Sequence, residues 1–132
     1  MNDEKRAERF NHLMTKWIEY CRDPRVQKSA TASRVWTCPP YRGIVRLGPD
    51  VLPLVKHAYE SDVTVYVESP DKATERAYDI IRIFGLEAIL NQLCGFSARE
   101  DLETDFDRRE HYAKEALEDY LNGEPSAKNT RH

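Results

Sequence analysis

The sequence contains no apolar stretch approaching the ~20 residues that a bilayer-spanning helix needs. Its longest apolar stretches, Val51–Val55 and Ile80–Leu86, are short and interrupted. The opening Met1-Asn2-Asp3-Glu4-Lys5-Arg6 carries charges of both signs and no apolar core, so no secretory signal is expected. Cysteine is scarce: Cys21, Cys38 and Cys94 stand at wide, irregular spacing. That spacing excludes a metal-knuckle pair and a dense disulfide framework, and implies reduced, partly buried thiols in an intracellular (cytoplasmic or nuclear) chain. His12, His57, His111 and His132 lie beyond helical reach of one another, so no metal site is expected. A glycine-rich phosphate loop, a nucleophile elbow and a paired-histidine zinc helix are all missing. No cofactor and no catalytic residue are therefore expected. Cys38 with His57 is a conceivable nucleophile–base pair, but three cysteines and four histidines offer such pairs by chance. Nor does any internal repeat point to a solenoid.

What is present is one globular domain's worth of chain: 132 residues, 40% hydrophobic and 33% charged. Phe10, Leu13, Met14, Trp17, Ile18 and Cys21 fall on one stripe of a 3.6-residue helix, predicted over residues 3–22. Asn2 or Asp3 can cap its start, and Pro24 lies just past its end. Residues 23–40, with three prolines and many small hydroxyl residues, predict a long connection holding at most one helical turn. Trp36 within it is expected to tuck into the core as an anchor, the alternative being an exposed aromatic.

Tyr41, Ile44, Val45 and Leu47 make a short amphipathic helix that Gly48 can stop with positive φ. Pro49 suits the first turn of a following helix, and Pro53 its second, where it would bend the helix. A helical hairpin is thus expected at 41–60. Val63-Thr-Val-Tyr-Val67 alternates and is β-branched, which leaves strand and extended linker both open. Pro70-Asp71 opens a helix bearing Ala73, Ala77, Ile80, Ile81 and Phe84. Gly85 either kinks or ends it, and Leu86, Ile89, Leu90 and Leu93 carry the apolar face on to Cys94. A last helix places Phe106, Ala113, Ala116, Leu117, Tyr120 and Leu121 on one side, with Gly123 as its stop. Asp101, Glu103, Asp105 and Asp107 lack the glycine of a calcium loop, so Asp105 is taken as a helix cap. The tail 124–132 has little to bury and is expected to be mobile.

Charge is unevenly spread. Residues 22–46 hold Arg22, Arg25, Lys28, Arg34, Arg42 and Arg46 against Asp23 alone, a balance of +5, whereas the whole chain is −3 and the remainder is therefore −8. Forked donors, hydroxyls and the rings of Trp36 and Tyr41 in one basic segment suit phosphate contact. They equally suit internal ion pairs or an acidic protein partner. The overall acidity argues against a dedicated DNA-binding domain. The mixed charges of the last helix imply a solvated face, although its apolar stripe could dock on a second copy of the chain.

The run Tyr41-Arg42-Gly43-Ile44-Val45-Arg46-Leu47-Gly48, followed by Leu52-Pro53-Leu54-Val55 and preceded by Trp36, resembles a segment of small uncharacterised helical proteins. These carry a Tyr-x-x-Ile-x-x-Leu/Met-Gly corner ahead of a Leu-Pro-Leu-Ile-type helix. The resemblance covers about 20 residues and implies an all-helical, HEAT-hairpin-like fold with no activity attached. Their downstream Trp-Phe-x-Ala-Leu helix is only faintly echoed by Ile89–Gly95.

Together these features predict an all-α, irregular bundle of five or six helices spanning 1–123. Its expected role is a non-enzymatic protein–protein interaction module, regulatory or adaptor-like, that binds an acidic partner or itself. Arg25, Lys28, Arg34, Arg42 and Arg46 would supply charge, and Trp36 or Tyr41 the apolar anchor. The alternative is a nucleic-acid-associated protein using the same 22–46 segment.

Overall fold

A computed structural model of the chain describes residues 2–27, 35–97 and 105–123. Lys28, Arg34, Asp101, Glu103 and the tail 124–132 lie outside these residues. The described residues are helical, with no strand among them.

Helix α1 spans Asp3–Arg22. The Asn2 side chain accepts from the Lys5 N–H at 2.8 Å, satisfying one orphan donor of the first turn. All six residues of the expected stripe are buried. Asp23 caps the one-turn helix α2, Pro24–Gln27, by accepting from the Arg25 N–H. Helix α3, Pro39–Arg46, starts on two prolines whose fixed φ suits a first turn. Gly48, at φ 82°, turns the chain into a 3₁₀ turn, Pro49–Val51, and then into α4, Leu52–Glu60. Because the 3₁₀ turn absorbs residues 49–51, Pro53 sits in the first turn of α4 and not the second. Its missing N–H is one that has no helical partner there.

The segment 63–67 is neither strand nor extended linker. Asp62 accepts from the Thr64 N–H at 3.0 Å, and a 3₁₀ turn forms over Val63–Val65. The N–H groups of Tyr66 and Val67 donate to the Val63 carbonyl. Val63 and Tyr66, three residues apart, then both face the core, whereas Thr64 and Val65 face water. No strand among the described residues pairs with the alternating pattern, and a tight turn satisfies the backbone locally.

Asp71 caps α5, Lys72–Ile80, through the Thr74 N–H. The chain continues through a π turn, Ile81–Gly85, into α6, Leu86–Cys94, so Gly85 does not end the rod. A Cβ added at Gly85 would lie 2.5 Å from Trp17 Cζ2, which is why the rod and α1 can approach so closely there. Asp105 caps α7, Phe106–Leu121, by accepting from the Arg108 N–H. With α5, the π turn and α6 taken as one rod, the described residues form six helices.

Packing centres on that rod. Helix α1 lies against α5 and α3, and α6 meets α3, α4 and α7, while α4 and α7 pack on each other. Trp17 is fully buried and donates Nε1–H to the Val35 carbonyl at 2.8 Å, pinning the far end of the connection to the core. On α7 only Ala113, Ala116 and Leu117 of the expected inward stripe are buried. Phe106, Tyr120 and Leu121 are 42%, 41% and 36% exposed, and Phe106 packs edge-on against Phe84 with ring centroids 5.5 Å apart.

Candidate functional site

The basic connection divides once it is folded. Arg22 pairs with Asp71 at 2.5 Å and Arg25 with Asp23 at 2.8 Å, so two of its cations are used within the chain. Arg42 and Arg46, one turn apart on α3, are both exposed and have no ion-pair partner among the described residues. Arg46 also stands in the last turn of α3, where a cation complements the helix dipole.

Trp36 and Tyr41 are brought together. Both line a groove of about 330 Å³ whose other walls are Phe84, Phe96 and the face of α6 around Ala88. Trp36 is half-buried against the core and keeps part of its ring accessible. Tyr41 is buried, lies 5.7 Å from the Trp17 ring and donates its hydroxyl to the Ala88 carbonyl at 3.2 Å. It is therefore a wall of the groove and not a side chain free to insert into a partner.

The groove holds an ion pair that sequence reasoning missed. Arg109 meets Glu87 through two N–H···O bonds of 2.7 and 2.8 Å, with both side chains mostly covered. This forked geometry is the strong form of an arginine–carboxylate contact. The Arg109 guanidinium also sits 5.9 Å from the Phe84 ring centroid. Asn91 donates to the Phe96 carbonyl at 2.9 Å, fixing the residue that follows the Gly95 helix stop. No protein-family model, curated protein or solved structure matches the chain.

The thiols add no nucleophile to this site. Cys21 and Cys38 are buried and all three cysteines are free. Burial pushes the Cys21 thiol up to about 12 and raises those of Cys38 and Cys94. A reactive cysteine needs the opposite shift. Cys38 donates weakly to the Val35 carbonyl at 3.6 Å, while His57 is exposed on α4 with its own carbonyl bonded by Ser61. Among the described residues no group of acidic, cysteine or histidine side chains is arranged to hold a metal ion. No helix of the described residues is long and apolar enough to cross a membrane.

Proposed function

We propose that this chain is a non-enzymatic interaction module that holds an acidic segment of a partner protein along α3 and the aromatic groove. The observation that carries the reading is the half-buried Trp36 at a groove walled by Tyr41, Phe84 and Phe96, with Arg42 and Arg46 exposed on the helix that bears Tyr41 and without an ion-pair partner among the described residues. Interface energy concentrates in tryptophan, tyrosine and arginine, and a groove of this size accepts one or two apolar side chains. Arg42 and Arg46 would steer and orient acidic groups approaching α3, while the rim of Trp36 would cover the inserted side chain. Tyr120 and Leu121, partly exposed at the C-terminal end of α7, would offer self-association a second apolar contact.

The test is a tagged pull-down from native lysate, with and without nuclease, run on the wild type and on an Arg42→Glu/Arg46→Glu/Trp36→Ala variant. A stoichiometric protein that survives nuclease and is lost by the variant supports the reading. Recovery of nucleic acid, or of proteins lost on nuclease treatment, would transfer the same residues to nucleic-acid association. A partner retained by the variant would overturn both.

A further inference from the structure

Helix α7 is fastened differently from the rest of the bundle. Its buried side chains are Ala113, Ala116 and Leu117, whereas α1 buries six that include Phe10, Met14 and Trp17. Ion pairs add to this small apolar seat. Arg109 reaches Glu87 on α6 at 2.7 Å, Glu110 reaches Arg82 in the π turn at 2.8 Å, and Glu118 reaches Lys56 on α4 at 3.4 Å. Charges that leave such pairs regain water, so a helix seated on them separates at a lower cost than one seated on buried rings. The first pair also belongs to the aromatic groove, whose lining includes both Glu87 and Arg109. With α7 in place, the two charges cancel there.

The second observation is that the seat leaves donors stranded. Tyr59 on α4 is 2% exposed, and its hydroxyl has no hydrogen-bond partner among the described residues. Its charged neighbours include Glu87 and Glu110, which puts it at the junction of α4, α6 and α7. The Arg82 Nε–H, on the side chain that pairs with Glu110, is buried and without a partner as well. Buried donors without acceptors carry a desolvation cost, which is relieved when water enters the seat. Arg82 also keeps anions near it. It lines a cavity of about 560 Å³ with Glu60, Asp62, Glu75 and Asp79, none of which has a cationic partner within ion-pair distance among the described residues. Those carboxylates are at hand for its guanidinium when Glu110 departs.

We propose that α7 is a releasable helix whose departure takes Arg109 from the wall of the aromatic groove and leaves the Glu87 carboxylate to charge it. Release then disfavours the acidic segment proposed above, and by linkage that segment holds α7 in its seat. This consequence rests on the proposed function, whereas the release itself does not. The test is hydrogen–deuterium exchange of the full chain, read at the buried centres of α7 and α1. Amides of residues 113–117 should exchange about tenfold or more faster than those of residues 14–18, through an opening smaller than global unfolding. Ile18→Val should speed α1 and leave α7 unchanged, because α1 stays packed when α7 opens. Glu87→Gln should speed α7 about tenfold, and Tyr59→Phe should slow it by up to about fivefold. Ala113→Glu, which sets a carboxylate in the buried face of α7, should release the helix while α1 stays protected. Caesium quenching of Trp36 fluorescence should then rise relative to iodide quenching, Trp17 being fully buried and beyond the reach of both ions. Equal protection of α7 and α1 would overturn the release. So would a joint response of the two helices to Ile18→Val, faster α7 exchange in Tyr59→Phe, or loss of α1 protection in Ala113→Glu. An unchanged quenching ratio in Ala113→Glu would overturn its effect on the groove.

Discussion

The aromatic groove and the acidic cavity meet at the π turn, where Phe84 faces the one and Arg82 the other, yet they differ in how completely the chain satisfies its own groups. In the groove, three of the polar side chains are closed within the chain: Tyr41 on Ala88, Glu87 on Arg109, Asn91 on Phe96. Around the cavity, Glu60, Asp62, Glu75 and Asp79 have no cationic partner within ion-pair distance among the described residues. A surface with its polar groups closed recognises by shape and apolar contact, and tolerates a range of occupants. A surface with them open recognises by charge and hydrogen bonding, which is more selective because a wrong occupant leaves donors unpaired. The two regions also share α7, whose adjacent Arg109 and Glu110 reach one to each.

The largest expected effect removes the scaffold that both share. In Gly85→Ala the new methyl would sit 2.5 Å from Trp17 Cζ2 and 2.7 Å from Cη2, against a ring that is fully buried. Overpacking of this kind costs about 1–3 kcal/mol, and the stiff indole places it toward the upper end. Urea denaturation should show that loss. Stability within about 0.5 kcal/mol of wild type would mean that the rod and α1 separate easily and that the two regions are mechanically independent.

Next in size is a matched pair of acid-to-amide changes. Glu87→Gln takes away a carboxylate that pairs in a forked geometry with the mostly covered Arg109 guanidinium, which should cost about 2 kcal/mol, less than the 3–5 kcal/mol of a fully buried pair. Glu75→Gln removes an exposed carboxylate with no ion-pair partner among the described residues and should stay within about 0.5 kcal/mol. Equal losses from the two would erase the distinction between a closed and an open region. A matched pair of tyrosines sharpens it further. Tyr41→Phe deletes a made hydrogen bond and should cost about 1 kcal/mol, whereas Tyr59→Phe deletes an unmade one. The second change should be neutral or stabilising by up to about 1 kcal/mol, read from the same denaturation curves.

Local signals in the sequence carried much of the fold. The six-residue stripe of α1, the Asp71 and Asp105 caps, and the positive φ of Gly48 and Gly123 each depend on a few neighbouring residues, and each is found as expected. Val63–Val67 failed because its alternation describes a side-chain pattern and not a backbone partner. The 3₁₀ turn was written instead in Asp62, whose capping role competes with a strand. Phe106, Tyr120 and Leu121 were expected inward and stay partly exposed because periodicity states which face of α7 is apolar and not how much of that face its neighbours cover. Trp36 and Tyr41 were legible as the aromatics of the basic connection, but not as two walls of one groove. The pairing of Glu87 with Arg109 was not, since it joins α6 to α7 across 22 positions. The cavity was invisible for a different reason: its acids look like ordinary solvated charges until the segments that carry them, 60–62 and 75–79, are folded together.

The smallest expected effect concerns acid pH and separates a paired carboxylate from the cavity's own. Asp71 is held well below the usual carboxylate range by its hydrogen bond from Arg22, and then by those from Thr74. Asp62 is lowered by the Thr64 backbone and side chain. For both, the folded-state value lies below the unfolded value of about 3.9, so each contributes stability that is fully present above about pH 4. That stability is lost as pH falls through the folded values, because the unfolded chain then binds the proton more readily. Both groups are exposed, so the effect is modest and screened by salt. Urea midpoints measured from neutral pH down to about pH 3 should fall on the acid side. Asp71→Asn should flatten that fall more than Asp62→Asn, since Arg22 contributes only to the first. A larger flattening from Asp62→Asn would mean that its capping bonds, and not the Arg22 pair, dominate the acid response.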